Sequence, residues 1–188
     1  MRDIAGARQY YERALAIRER ALGPEHPSTA ATLSNLGGLL QSQGDFLAAQ
    51  QCHERALMIR EKVLGANHPE TATGLDNLGS LLQNQGDFSA ARRCHELALA
   101  IREGVLGPDH PDTATSLNNL GGLLVLQGDL AGARPYLERA LGIVEKKLGL
   151  THPNTQAVAG NVAVLFDQLK LPNQSAAIRQ KFGLKDDE

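Results

Sequence analysis

Tryptophan is missing from this 188-residue chain, and aromatic residues make up only 4% of it. Strands draw heavily on aromatic and β-branched side chains, so their scarcity beside abundant Ala and Leu favours helices. Cysteine is almost missing too. Cys52 and Cys94 are too few for a disulfide framework. Neither sign of charge dominates: 19 basic and 21 acidic residues leave a formal net charge of −2. A nucleic-acid-binding domain is expected to be basic, so the balance argues against a nucleic-acid partner. No apolar run approaches the ~18 residues that span a bilayer, so no membrane role is expected. Met1-Arg2-Asp3-Ile4 opens directly into a polar helical pattern without a signal-peptide core. A cytoplasmic chain is the expectation. No glycine-rich phosphate loop follows a strand-like run, and no cofactor is expected.

What the chain does have is a repeat. His26-Pro27, His68-Pro69, His110-Pro111 and His152-Pro153 recur 42 residues apart. Asn35, Asn77, Asn119 and Asn161 keep the same step. So do the Gly-Asp pairs at 44–45, 86–87 and 128–129, and the Leu-Gly pairs ending at Gly23, Gly65, Gly107 and Gly149. Fixed-period self-similarity of this length predicts a solenoid of stacked two-element units.

Each unit reads as two helices. In the first, A, Leu33, Leu36, Leu39 and Leu40 form an apolar stripe, and Gly37 admits a close neighbour. Pro27 suits the first helical position, where its missing N–H costs nothing. Gly44 breaks the chain, and Asp45 is a good cap for the second helix, B. Helix B carries Ala49, His53, Ala56 and Leu57 inward, with Met58 at the margin, and Gly65 closes it. The expected organisation is one array over 1–188. It comprises a lone B helix at 3–22, full repeats at 27–64, 69–106 and 111–148, and a degenerate cap at 153–182. In the cap, Lys170-Leu171 replaces Gly-Asp, and the tail Lys185-Asp186-Asp187-Glu188 is acidic. A start in mid-repeat suggests a piece of a longer array, with Ile4, Tyr11 and Leu15 uncovered.

The run Leu33-x-x-Leu36-Gly37-x-x-Leu40, then Gly44, Ala49, His53 and Ala56-Leu57, resembles the tetratricopeptide repeat. The 42-residue length exceeds the ~34 usual in that family. The Leu-Gly-x-x-His-Pro turn and the Asn-Leu of helix A resemble its kinesin light chain subtype, in a prokaryotic form. The resemblance implies an all-α, right-handed superhelical solenoid of antiparallel helix pairs, with a concave face lined by the A helices. It further implies a non-catalytic scaffold that holds an extended peptide or partner segment in that groove. On the matching positions the groove residues are Ser34, Asn35, Asp76, Asn77, Ser80, Gln83, Asn84, Asn118, Asn119 and Asn161. An Asn amide both donates and accepts, so a column of them suits a peptide backbone of any sequence. The competing reading of the column is bracing between neighbouring helices.

Groove positions that hold Lys or Arg in carboxylate-clamping relatives are Ser34, Asp76, Asn118 and Gly160 here, and Asp167 adds a further acid. A neutral or mildly basic ligand is therefore expected before an acidic one. Gly38, Gly122 and Ser80 leave room for bulky side chains. Cys52-His53 and Cys94-His95 invite a nucleophile or metal reading. Their repeat equivalents are Tyr10-Tyr11 and Tyr136-Leu137, however, so they read as packing slots. The His-Pro loops read as capping geometry rather than a ligand ladder. Arg18, Arg60 and Arg102 beside Glu19, Glu61 and Glu103 read as solvated faces. The chain is not expected to be an enzyme. The alternative function is self-association through the first helix, as a spacer or sensor arm of a larger signalling protein.

Overall fold

The structure is a computed structural model, and it describes residues 4–184. Asp3 and the acidic tail lie outside the described residues, as does the side chain of Ile4. Among the described residues the chain is all-α, with nine helices. They are α1 (Ile4–Leu22), α2 (Pro27–Ser42), α3 (Phe46–Leu64), α4 (Pro69–Asn84), α5 (Phe88–Leu106), α6 (Pro111–Leu126), α7 (Leu130–Leu148), α8 (Pro153–Gln168) and α9 (Pro172–Phe182). The A helices have 16 residues and the B helices 19, with the short α9 as the exception.

The turns follow from local chemistry. Each A helix starts at a His cap whose Nδ1 accepts the backbone N–H two residues on, at 3.1 to 3.2 Å, from Ser28, Glu70, Asp112 and Asn154. This is the capping role expected of the His-Pro loops. Thr29, Thr71 and Thr113 donate their hydroxyls back to the carbonyls of Gly23, Gly65 and Gly107. Gly65 itself sits at φ +98, where an L side chain is strained. The A-to-B turns pass through Gly44, Gly86 and Gly128, and then Asp45, Asp87 and Asp129 cap the B helices.

The chain divides into two compact units at Ile101/Arg102, inside α5. In the first, Ala30, Leu33, Ala56 and Ile59 form one buried cluster. Leu36, Leu40, Ala49 and Leu81 form a second, spanning α2, α3 and α4. Ala72, Leu75 and Ala98 join α4 to α5. Fully buried Leu81 alone removes enough apolar area to contribute about 2 kcal/mol. In the second unit the core is Leu117, Leu120, Leu123 and Leu124 of α6, Leu137, Ala140 and Val144 of α7, and Val162, Leu165 and Phe166 of α8. Phe182 of α9 is buried as well.

Two sequence expectations change. Met58 points outward, because Ala56 and Ile59 already take the inward positions of α3. Tyr11 and Leu15 are not uncovered. Both pack against the first unit's core, and the large exposed apolar residues of α1 are Tyr10, Ile17 and Leu22.

Candidate functional site

Small residues let the helices of one repeat close on each other. A methyl group built at Gly37 would lie 2.7 Å from Cε1 of His53, so only glycine lets α3 lay its imidazole on α2. Gly79 receives His95 in the same way, also at 2.7 Å. In the second unit Gly121 receives Leu137, at 2.6 Å from Cγ. The slots opposite these glycines are therefore packing positions, as expected for His53 and His95. Both thiols are pushed up by burial, which leaves Cys52 and Cys94 poor nucleophiles. Among the described residues no cluster of His, Cys, Asp and Glu is placed to hold a metal.

The outward side of the same helices forms a pocket of about 290 Å³ in the first unit. Ser34, Asn35, Gly38 and Gln41 come from α2, and Asn77 and Ser80 from α4. Tyr11 of α1 and His53 of α3 complete it. The sequence-predicted Ser34, Asn35, Asn77 and Ser80 are thus brought to one place. Open space faces Gly38, as expected, and no atom would meet a methyl group there. Gln83 and Asn84 lie further along α4 and do not line the pocket.

Asp76 departs from its expected role. It turns inward, only 5% exposed, and its Oδ1 lies 2.8 Å from Nδ1 of His95. The buried imidazole offers it a partner that the open surface does not. Asp167 is exposed but bonded by Arg179 at 2.8 Å, and that hydrogen bond holds its carboxyl below the usual range. In the second unit Asn161 donates to Asn118 Oδ1 at 2.8 Å, so this pair braces α8 against α6. Asn119 is half-buried beside it on α6.

The arginine column also differs from expectation. Arg60 and Arg102 are buried, at 5% and 4% exposure, rather than solvated. Their long stems lie along the apolar interface while their heads reach hydroxyls. Arg60 donates to Ser34 at 2.8 Å and lies 3.7 Å from Glu70, while Arg102 donates to Ser116. Arg18 donates to Thr32 and to the Ser28 carbonyl. Burial lowers the Arg60 guanidinium from its ordinary value.

The tetratricopeptide repeat family model matches residues 1–62, 28–103 and 70–146 of the chain, in overlapping copies. The chain is a tetratricopeptide repeat protein. Solved structures agree on the fold of this tetratricopeptide chain. Nearly identical TPR-like repeats assigned to a Podosopora anserina kinesin light chain share 24% identity, with a TM-score of 0.71 over 96% of this chain and 85% of that one. A single-substitution variant of the same repeats gives a TM-score of 0.73 at 24% identity, over 97% and 89% of the two chains. BtubC (BKLC) from P. vanneervenii gives a TM-score of 0.76 at 21% identity, over 100% of this chain and 77% of that one. No curated protein matches the chain. The fold is thus the tetratricopeptide solenoid, similar to that of the kinesin light chain-like repeats, and tetratricopeptide proteins are in general protein–protein interaction scaffolds without catalysis.

Sequence reasoning missed Tyr11 and His53 as members of this site. A signal for His53 was present. Ser34 and Asp76 occupy the same repeat position while the histidines opposite stay the same. A repeated ring facing a changing partner marks a place where the internal contact differs from one repeat to the next.

Proposed function

We propose that the tetratricopeptide repeats act as one array that holds an extended segment of a partner protein against the A-helix faces, without catalysis of its own. The observation that carries this reading is the pocket where Asn35 and Asn77, one repeat apart, meet Ser34 and Ser80. Two amides at repeat spacing offer donors and acceptors to a peptide backbone, and the stacked helices hold them in place before the ligand arrives. Asn119 and Asn161 extend the same column in sequence, with Asn118 and Asn161 occupied in bracing α6 and α8.

An uncharged or mildly basic segment fits best. The pocket is lined by hydroxyl, amide and imidazole groups, and burial, then the nearby Arg60, holds the His53 imidazole below its ordinary value. Asp76 is withdrawn from the surface beside His95, and the exposed Asp167 is paired by Arg179. We place the chain in the cytoplasm. No helix among the described residues is long and apolar enough to cross a membrane.

The test is selection from an immobilised random-peptide array, followed by titration of a selected peptide. The double variant Asn35→Ala/Asn77→Ala, with unchanged circular dichroism, is expected to bind it about tenfold or more weakly, as loss of two directed hydrogen bonds implies. Equal affinity in the folded variant overturns the reading.

A second reading rests on α1, where Tyr10 is 75% and Ile17 55% exposed. Exposed apolar side chains on one helix favour self-association, with the repeats as a spacer or sensor arm. Mass by light scattering across a concentration series separates the two. A constant 20.1 kDa species supports the peptide-binding reading. A concentration-dependent dimer that Tyr10→Ser/Ile17→Ser abolishes supports self-association.

A further inference from the structure

His53 and His95 are the same repeat position with different fates. Each ring lies on its glycine at the same distance. His95 is bonded through Nδ1 to Asp76 at 2.8 Å. The residue at the Asp76 position one repeat earlier is Ser34, whose shorter side chain accepts from Arg60 instead. His53 is only 3% exposed, yet neither Nδ1 nor Nε2 has a hydrogen-bond partner in the protein. A buried polar group without a partner is costly, so it calls for one. This ring lines the 290 Å³ pocket.

We propose that the pocket on α2, α3 and α4 is an anchor subsite for a carboxamide side chain, Asn or Gln, with His53 as its buried hydrogen-bonding floor. The shape of the guest is that of the Asp76 side chain, which fills the equivalent place beside His95. The chemistry is that of an amide. A neutral imidazole has one N–H donor and one bare nitrogen acceptor, and a carboxamide offers both an acceptor and donors, whereas a carboxylate only accepts. Asn35 and Asn77 at the rim are matched to the same group. A buried carboxylate would also need a cation, and the nearby Arg60 is already directed at Ser34 and Glu70. An apolar side chain would leave His53 unsatisfied.

This inference rests on the peptide-binding reading only in taking the A-helix face as the ligand surface. The probes are N-acetyl methylamides of glutamine, glutamate and leucine, titrated into the full chain while the His53 ring resonances are followed by NMR. The glutamine probe is expected to move the His53 ring and to bind about five- to tenfold more tightly than the other two, the advantage of one or two well-made hydrogen bonds. His53→Leu is expected to erase that preference. It should fold, because Leu137 fills the equivalent slot against Gly121. Ser34→Asn, which supplies the amide internally, is expected to weaken the glutamine probe by a similar factor. Equal binding of the three probes, tighter binding of glutamate, no movement of the His53 ring, or a preference that survives in His53→Leu overturns the proposal. If array-selected peptides bind but His53→Leu binds them equally, the groove reading stands and the subsite falls. If the glutamine probe binds at His53 and the Asn35/Asn77 variant binds selected peptides normally, the reverse holds.

Discussion

The Asp76 carboxylate meets the His95 imidazole at 2.8 Å with both side chains withdrawn from solvent. The pair ties α4 to α5 at a point where the sequence alone places Asp76 on the ligand face. Asp76→Ala leaves His95 Nδ1 without that partner and should cost about 2–3 kcal/mol, measured as a fall in the urea midpoint. Asp76→Asn keeps the shape and a hydrogen bond, so its loss should be the smaller. An unchanged midpoint in Asp76→Ala contradicts the pair's structural role.

Two neighbouring glycines should respond oppositely to the same substitution. Gly37→Ala drives a methyl group to 2.7 Å from His53 and should destabilise by about 1–3 kcal/mol. Gly38→Ala meets nothing within 4 Å and should stabilise by about 0.5–1 kcal/mol through helix propensity. Thermal unfolding of the two variants checks both signs at once.

Lys170 adopts φ +59, in the left-handed region where the equivalent turns use Gly44, Gly86 and Gly128. Leu171 then gives α9 no side-chain cap. Lys170→Gly should relieve about 1 kcal/mol of backbone strain, and adding Leu171→Asp about 1 kcal/mol more through capping. Hydrogen exchange of the α9 amides should slow in the double variant. Exchange as fast as in the parent contradicts the account.

Acid should weaken the first unit through His53. Burial, then the nearby Arg60, places its imidazole below the ordinary value of 6.5. As pH falls the unfolded chain therefore takes up a proton before the folded one. The contribution is complete above about pH 6.5 and is lost as pH drops from there toward the lowered folded value. Urea midpoints at pH 7.5 and pH 5 should differ less in His53→Leu than in the parent. An equal difference would remove His53 from the explanation.

Much of the fold was legible because it is written in repeated local signals. The His-Pro start, the Gly-Asp break and the Leu-Gly stop each act within a few residues, and α2 and α3 lie within about a residue of the positions they predict. The site was legible only in part. Ser34, Asn35, Asn77 and Ser80 share a face by helical spacing and do converge. Asp76 and Arg60 did not follow from spacing, because each is decided by a contact across helices: Asp76 by His95, Arg60 by Ser34. Charge alone reads as solvent-facing, and only tertiary packing reveals a buried partner. Met58 fails for a related reason, since a margin position faces in or out according to the size of its neighbours.

The most direct test of the central claim is NMR mapping of the side-chain amide resonances during titration with an array-selected peptide. The account predicts that the Asn35 and Asn77 side-chain amides shift first and furthest, with the Gln41 side-chain amide moving alongside them. Saturating binding that leaves Asn35 and Asn77 unmoved, and shifts the exposed residues of α3 and α5 instead, would contradict it.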